Sequence, residues 1–382
     1  MSDDMYSKLA IHLSALAMGL PYTKELEDIL KASFSAEEVE VALALPNTDI
    51  PLQPARVDDI LPKTNLSKKE LVEILESLTK RGLLFSGKTK EGEKGYALLQ
   101  RGFGFFQAWF WKGEITPHSK LMADLITKYY NPEVFKRGYG GTDAKKLGTR
   151  TKAFRFIPTL KAVEHMLEEH IHHHDYEGIE AVYPYEMVEK IIDQANVFAL
   201  AHCPCRMRTQ ILGTGCDHVI EVCLKYDELA EDLIAKGDAR QITKGDALEI
   251  ARISEENGLV HMVDNAQGKI KHTCHCCGCC CVFMSRVTRR EIPRDLIIAT
   301  YFIQELNQEK CMGCGLCVDI CPVDAITVKG DFAQVDRDWC IGCGLCINQC
   351  PEGAPKLIRR PDVTTPHNFR ELYETIIREK KE

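Results

Sequence analysis

The chain contains 18 cysteines, and their spacing gives the first indication of its chemistry. Eight of them form two copies of one pattern, C-x2-C-x2-C-x3-C, each followed directly by proline. Cysteine runs of this spacing hold iron–sulfur clusters, with three thiolates of a run around one cluster and the fourth directed to the other. The two runs consist of Cys311, Cys314, Cys317 and Cys321, and of Cys340, Cys343, Cys346 and Cys350.

Two glycines lie inside each of these runs, at positions 313 and 315 and at positions 342 and 344. Glycine lets the backbone approach a cluster closely, where its N–H groups stabilise negative charge. Zinc is the structural alternative for so many cysteines. Tetrahedral zinc sites use C-x2-C pairs separated by a longer linker, so the doubled run favours iron–sulfur clusters.

Residues 303–358 resemble a bacterial-type two-cluster ferredoxin. The resemblance implies two [4Fe–4S] clusters with ligands exchanged between the runs. The segment AITVKGDFAQVD between the runs predicts a hairpin that turns at Lys329 to Asp331. The implied ligands are Cys311, Cys314, Cys317 and Cys350 for one cluster, and Cys340, Cys343, Cys346 and Cys321 for the other.

Ten further cysteines lie upstream, and none precedes Cys203. A helix beginning near Gly215 would place Cys216 and Cys223, seven residues apart, on one face. Together with Cys203 and Cys205 of an extended HCPCR segment, these two would form one site. The second group lies in HTCHCCGCCC, and its six sulfurs cannot all serve one four-coordinate centre: Cys274, Cys276, Cys277, Cys279, Cys280 and Cys281.

Basic residues flank these upstream cysteines, among them Arg206, Lys271 and Arg286, and positive charge favours thiolate over thiol. We therefore expect one or two further [4Fe–4S] clusters in residues 203–281, with a zinc ion as the alternative. The CCG element at residues 276–278 resembles one in heterodisulfide reductase subunits, but the other spacings differ and imply no shared chemistry.

The elements ahead of the cysteines are predicted to be mainly helical. Residues 5–45 have helical periodicity, and Ser67 with Glu70 forms a capping box for a helix over 67–81. A hairpin follows at residues 83–99. The region 36–100 resembles a winged helix-turn-helix, but its second helix is rich in glutamate, which favours a docking or dimerisation role over DNA binding.

Three other segments carry unusual composition. Residues 103–111, FGFFQAWFW, are predicted to form interdomain core, with a partner-protein contact as the alternative. The glycine-rich basic segment 137–153 matches no phosphate-binding motif and is predicted to be a loop. Histidines 165, 170 and 172–174 follow no zinc signature, so we interpret their helix as a solvated one.

These patterns predict a multi-domain α+β protein. Its N-terminal half is helical and winged-helix-like, its middle domain is Cys-rich, and its C-terminal domain is of the two-cluster ferredoxin type. The expected divisions are N-terminal helices at 1–35, a winged-helix-like domain at 36–115, a helical connecting region at 116–200, a cluster- or metal-binding domain at 201–290, and the ferredoxin-like domain with a tail at 291–382.

Charge and hydropathy narrow the partners. The net charge of the 382 residues is -8, which excludes a generally basic surface for nucleic acid or anionic lipid. Residues 303–355 carry eight acidic and three basic side chains, a balance of -5, and so imply a redox partner protein with a basic docking surface. No apolar run reaches the ~18 residues of a membrane helix, and no secretory signal is evident, so we expect a cytoplasmic protein.

The whole chain resembles 4Fe–4S dicluster proteins of anaerobes that have a winged-helix-like N-terminal part. We expect an electron-transfer protein or oxidoreductase subunit rather than a stand-alone enzyme, one that relays single electrons to or from a larger oxidoreductase. Two alternatives remain: a redox-responsive winged-helix regulator, and an iron–sulfur enzyme with a catalytic cluster in region 203–281. No flavin or nicotinamide fingerprint is present, and the pattern identifies no catalytic residue.

Overall fold

The computed structural model describes residues 2–47, 50–134, 150–172, 183, 186–360 and 364–381. The segment 137–153, except for its end, lies outside these residues, as do His173 and His174. The described chain is mixed α/β, with a helical N-terminal part, a Cys-rich middle region and a C-terminal part of short strands and helices.

The N-terminal part is built from helices around a small antiparallel sheet of order β1-β3-β2. The capping box at Ser67 and Glu70 is present and starts a helix whose residues Leu71, Leu75 and Leu78 are buried, which confirms the predicted helix. The elements are α1 (Ser2–Ser14), α2 (Lys24–Ser33), α3 (Ala36–Ala44), β1 (Ala55–Arg56), α4 (Val57–Ile60), a 3-10 turn (Leu61–Lys63), α5 (Lys68–Lys80), β2 (Leu84–Lys88) and β3 (Lys94–Leu98).

The aromatic segment 103–111 joins two hydrophobic cores, which confirms its predicted place between domains. Phe105, Phe106 and Phe110 are buried in the core of the N-terminal part. Phe103 and Trp111 are buried in a second core, which also contains side chains of the Cys-rich and C-terminal regions. Burial of these large rings on both sides fixes the N-terminal part against the rest of the protein.

The middle region contains a six-stranded antiparallel sheet of order β4-β8-β9-β6-β5-β7. Two of its strands, β4 and β5, lie in the stretch for which the periodicity predicts a helical connection. The elements are α6 (Pro117–Tyr129), β4 (Phe154–Phe156), α7 (Leu160–His172), α8 (Val188–Asp193), β5 (Phe198–His202), α9 (Pro204–Ile211), β6 (Glu221–Tyr226), α10 (Asp227–Lys236), β7 (Arg240–Ile242), α11 (Lys244–Glu256), β8 (Val260–Asp264), β9 (His272–Cys276) and α12 (Met284–Thr288).

The predicted helix near Gly215 is wrong. Cys223 lies on β6, which pairs with β5 on one side and β9 on the other, so strand pairing overrides the helical spacing. The HCPCR segment is also not extended throughout. Cys203 is the N-cap and Pro204 the first residue of α9, a position that proline favours because its missing N–H is not needed there.

The C-terminal part consists of two strand pairs and short helices. β11 and β12 form the predicted hairpin, with Lys329 opposite Phe332. The final helix packs Phe369 and Tyr373 edge-on against Phe103, with ring centroids 5.6 and 5.8 Å away. The elements are a 3-10 turn (Arg294–Leu296), β10 (Phe302–Leu306), a 3-10 turn (Gln308–Lys310), α13 (Leu316–Asp319), β11 (Ile326–Lys329), β12 (Phe332–Val335), α14 (Leu345–Gln349), β13 (Pro355–Arg359) and α15 (Phe369–Glu379).

Within the described part of the chain, no helix is both long and apolar enough to cross a membrane.

A buried ion pair fastens the N-terminal sheet to α10, and its removal should destabilise the protein. The Asp232 carboxylate, 1% exposed, contacts Lys236 Nζ at 2.5 Å and accepts hydrogen bonds from the N–H and hydroxyl of Ser86. Lys236 also donates to the Leu84 carbonyl at 2.8 Å. Asp232→Ala leaves a buried ammonium without its counter-charge, and we expect a loss of about 3–5 kcal/mol in the free energy of unfolding.

Urea unfolding under anaerobic conditions, followed by circular dichroism, measures this loss. Glu231→Ala, an exposed position on the same helix, serves as the control and should change stability by no more than about 0.5 kcal/mol. Equal stability of the two variants would contradict the structural role of the ion pair.

Candidate metal centres

The first cysteine run closes around a cavity near the protein surface, which we call the outer cavity. It contains about 410 Å³ of space free of protein atoms. Cys314 is exposed, and the neighbouring Met312 and Leu316 are 68% and 44% exposed. The cysteines that line the outer cavity are Cys311, Cys314, Cys317 and Cys350.

The second run closes around an inner cavity of about 340 Å³. Cys340, Cys343 and Cys346 are buried, and burial raises the pKa of the Cys343 and Cys346 thiols. Neutral thiols of this kind become ligands by giving up their protons to metal binding. The cysteines that line the inner cavity are Cys321, Cys340, Cys343 and Cys346.

Both cavities therefore gather the ligand sets that the resemblance implies, including the exchange of the last cysteine of each run. Backbone N–H groups point at the sulfurs, as negative thiolates require. The donors and acceptors are Ala333 N to Cys311 Sγ at 3.4 Å, Ala354 N to Cys350 Sγ at 3.4 Å, Ala325 N to Cys321 Sγ at 3.2 Å and Gln304 N to Cys340 Sγ at 3.4 Å.

The glycines of the two runs are required by the backbone itself. Gly313, Gly315, Gly342 and Gly344 have φ between 64° and 83°, in the left-handed region that side chains disfavour. At Gly342 the chain also passes close to its neighbour, since a Cβ atom there would lie 2.1 Å from the Phe302 carbonyl oxygen. These turns bend each run around its cavity.

The ten upstream cysteines divide into two groups, and the division differs from the predicted one. Six sulfurs line a cavity of about 620 Å³ between β6, β9 and the start of α9, which we call the six-thiol cavity. Cys274 and Cys276 alternate on β9, so both point to this face. The cysteines of the six-thiol cavity are Cys203, Cys205, Cys223, Cys274, Cys276 and Cys281.

The remaining four cysteines form a compact cluster, which we call the four-sulfur group. Cys216 Sγ lies 4.0 Å from Cys277 Sγ and 3.5 Å from Cys280 Sγ, and all four sulfurs lie within 4.8 Å of one another. With a Zn–S bond of about 2.3 Å, a tetrahedral zinc site has sulfurs about 3.8 Å apart, so the spacing fits one metal ion. Its members are Cys216, Cys277, Cys279 and Cys280.

The prediction of one site from Cys203, Cys205, Cys216 and Cys223 is therefore wrong. Cys216 lies in the loop after α9 and joins the CCGCCC segment, whereas Cys223 on β6 faces the strand partner β9. The prediction that the second group of six cysteines serves more than one centre agrees with the structure, because its members divide between the two clusters of sulfurs.

Cationic side chains accompany the six-thiol cavity. Arg206 and Lys225 line it and are 0% and 2% exposed. Burial alone would lower the pKa of Lys225, but the sulfurs of Cys223 and Cys274 outweigh burial and raise it. Sequence reasoning missed Lys225, although it lies two residues after Cys223 on one strand and so shares its face.

A family model for the 4Fe–4S dicluster domain matches residues 310–354. Residues 310–354 are a 4Fe–4S dicluster domain of the ferredoxin type. This dicluster domain spans the two runs, and it identifies [4Fe–4S] clusters as cofactors of the protein and single-electron transfer as its chemistry. The N–H groups aimed at sulfur and the two cavities with four cysteines each fit such clusters.

One similar protein belongs to an ion-translocating oxidoreductase complex of Methanosarcina acetivorans, and the two chains are 37% identical over 84 residues. The match covers 21% of this chain and 28% of the relative, so it concerns a part of each protein. No solved structure matches the chain significantly.

Two glycines at equivalent positions of the dicluster domain should respond differently to substitution. Gly315 and Gly344 have φ of 83° and 81°, so alanine costs about 1–2 kcal/mol of backbone strain at either position. A Cβ atom at Gly344 would lie 2.4 Å from the Ala162 Cβ of α7, whereas at Gly315 nothing lies within 4 Å. We expect Gly344→Ala to lose about half of the iron of the dicluster domain and Gly315→Ala to retain it.

Iron per chain after anaerobic purification measures this difference. The double variant Gly344→Ala with Ala162→Gly removes the clash and should restore most of the iron. Equal iron contents of the two single variants would show that packing against α7 does not matter for the inner cavity.

Proposed function

We propose that the protein relays single electrons between a redox partner protein and the Cys-rich middle region, through clusters bound in the outer and inner cavities. In this assignment Cys311, Cys314, Cys317 and Cys350 bind one [4Fe–4S] cluster, and Cys321, Cys340, Cys343 and Cys346 bind the other. Bound clusters of this type accept and donate one electron at a time.

The observation that carries the proposal is the order of the cavities from the surface inward. The outer cavity opens beside the exposed Cys314, whereas the inner cavity is lined by buried cysteines. The Cys321–Pro322 turn of the inner cavity then touches the CCGCCC segment, since a Cβ atom at Gly278 would lie 1.9 Å from the Pro322 carbonyl oxygen. One continuous core contains Cys340 and Cys343 together with Cys223, Cys276 and Cys281.

Side chains of the middle region hold this contact in place. Thr288 donates a hydrogen bond to the Pro322 carbonyl at 3.0 Å, and Arg290 donates to the Val323 carbonyl at 2.8 Å. The close packing of backbone on backbone fixes the separation between the inner cavity and the upstream cysteines. A fixed separation is what a relay needs from its protein, along with control of charge and burial around each centre.

The surface of the outer cavity supports a partner that docks transiently. The apolar tip formed by Met312 and Leu316 is exposed, and Glu352 lines the cavity beside it. Glu309 and Asp331 are exposed on the flanking segments. An apolar contact with an acidic rim suits a partner with a basic surface, which agrees with the balance of -5 over residues 303–355.

Inorganic oxidants of opposite charge test this surface. We expect the reduced protein to pass electrons to the cation hexaammineruthenium(III) more slowly as ionic strength rises, by roughly tenfold between low and high salt. The anion tris(oxalato)cobaltate(III) should react faster under the same change. Stopped-flow absorbance of the clusters measures both rates.

Glu309→Gln combined with Glu352→Gln should flatten both dependences, whereas Glu231→Gln, outside the cavity lining, should leave them unchanged. If the two oxidants respond to salt with the same sign, electrons do not leave through an acidic surface at the outer cavity.

We infer that the four-sulfur group binds one structural zinc ion. The support is its sulfur spacing, which fits a single tetrahedral ion, and its position in the loop that touches the inner cavity. A zinc ion there stiffens the CCGCCC segment without taking part in electron transfer, because zinc has no redox chemistry.

We also infer that the elements from α3 to β3 form a winged-helix-like docking module rather than a DNA reader. Two lysines of this region are paired with acids: Lys68 Nζ lies 2.6 Å from Asp58 Oδ1 and Lys94 Nζ lies 2.5 Å from Glu76 Oε1. Side chains held in this way do not present free positive charge to phosphates.

Duplex DNA should therefore show no retardation by the full-length protein at physiological salt, in either the oxidised or the reduced state. An electrophoretic mobility assay under anaerobic conditions measures this. Specific retardation that depends on the oxidation state would favour the redox-responsive regulator over the docking module.

A further inference from the structure

We propose that the six-thiol cavity binds a single iron–sulfur cluster larger than a cubane, with Cys203, Cys205, Cys223, Cys274, Cys276 and Cys281 as its ligands. The proposal rests on the proposed function for the source of electrons, but the site itself stands on its own geometry. This cavity differs from the two cavities of the dicluster domain in the number of its sulfurs, in its size and in its charge.

The number of sulfurs is the first difference. A cubane takes four cysteine thiolates, one for each iron. The inner and outer cavities each present four, whereas the six-thiol cavity presents six from four separate segments of the chain. Cys277 also lines this cavity, but its sulfur belongs to the four-sulfur group and is not one of the six. Six ligands with one thiolate per iron require more than four irons.

Size is the second difference. The inner and outer cavities contain about 340 and 410 Å³ of empty space, and the six-thiol cavity about 620 Å³. The two cavities of the dicluster domain are internal standards for the room that a cubane occupies in this protein. The six-thiol cavity exceeds the larger of them by about half, which leaves a single cubane loosely held.

Charge is the third difference. The described lining of the inner cavity contains no cationic side chain, and in the outer cavity Lys310 is balanced by Glu352. The described lining of the six-thiol cavity contains Arg206 and Lys225 and no carboxylate. A buried cation is costly unless an anion lies beside it, so this cavity is built for more negative charge than the other two.

The orientation of Arg206 supports the same conclusion. One of its terminal nitrogens donates to the His275 carbonyl at 3.0 Å. Its Nε and its other terminal nitrogen are buried and find no hydrogen-bond acceptor among the described residues. The charges that act on the guanidinium are the sulfurs of Cys203, Cys276 and Cys277. Donors left open in this way suit the sulfides and thiolates of a bound cluster.

Metal analysis of the full-length protein, purified without oxygen, tests the proposal. The double variant Cys223→Ser with Cys274→Ser should lose more than about four irons per chain relative to the unchanged protein, with an equivalent loss of acid-labile sulfide. The reduced-state electron paramagnetic resonance signals of the dicluster domain should persist. A loss of four irons indicates a cubane, and no loss indicates that iron does not bind here; either result overturns the proposal.

The unchanged protein provides a second measurement if the double variant fails to fold. Labelled with 57Fe, it should contain more than about twelve irons, and its Mössbauer spectrum should include components beyond those of cubanes. A spectrum of cubanes alone, or a total of about eight or twelve irons, overturns the proposal. Cys279→Ser, in the same segment but outside the six-thiol cavity, is the matched control and should retain all of the iron.

Lys225→Met separates an electrostatic role from a structural one. Removal of the buried cation should lower the reduction potential of the centre that the double variant loses, and leave the potentials of the dicluster domain unchanged. An unaltered potential contradicts the charge argument. Failure of the proposed function would appear elsewhere, as absence of the eight or so irons of the dicluster domain or of electron exchange with the inorganic probes.

Discussion

The constraint on which the structure depends is the burial of many sulfur ligands whose anionic form is costly in an apolar interior. The protein meets this cost in different ways at different depths. Around the outer and inner cavities, backbone N–H groups of the following turns donate to sulfur. Around the six-thiol cavity, full charges on Arg206 and Lys225 are added. The number of sulfurs in each site decides which means suffices.

Packing between regions follows from the same constraint. A relay of buried centres is useful only when their separations are fixed, and here the fixing is done by shared apolar surface. The core that holds Cys340 and Cys343 continues into the Cys-rich region and up to Phe103 and Trp111 of the aromatic segment. The ion pair of Asp232 with Lys236 then joins the N-terminal sheet to the same body. The regions therefore behave as one packed unit rather than as beads on linkers.

The sequence predicts the dicluster domain well because its determinants are local. Cysteines, glycines and the hairpin at Lys329 to Asp331 all lie within one short stretch, and their spacing alone sets the turns. The capped helix α5 is predicted for the same reason. The middle region is different, since Cys203 and Cys281 meet only after the strands of the sheet have paired. Helical spacing favours one partner for Cys223, and the pairing of β6 with β9 selects another. Alternation along a strand is the available signal, and it places Lys225 on the same face as Cys223.

The aromatic segment also bears on how the protein is made. Gly102 and Gln107 form part of the wall of the six-thiol cavity, so the stretch that joins the two cores also covers this site. Because this stretch is synthesised before any of the cysteines, the cover exists before the chamber that it closes. Cofactor delivery must therefore precede the docking of the N-terminal part, or that part must swing away. Biogenesis of the holoprotein is an ordered process in which a region that leaves the ribosome early is the last to settle.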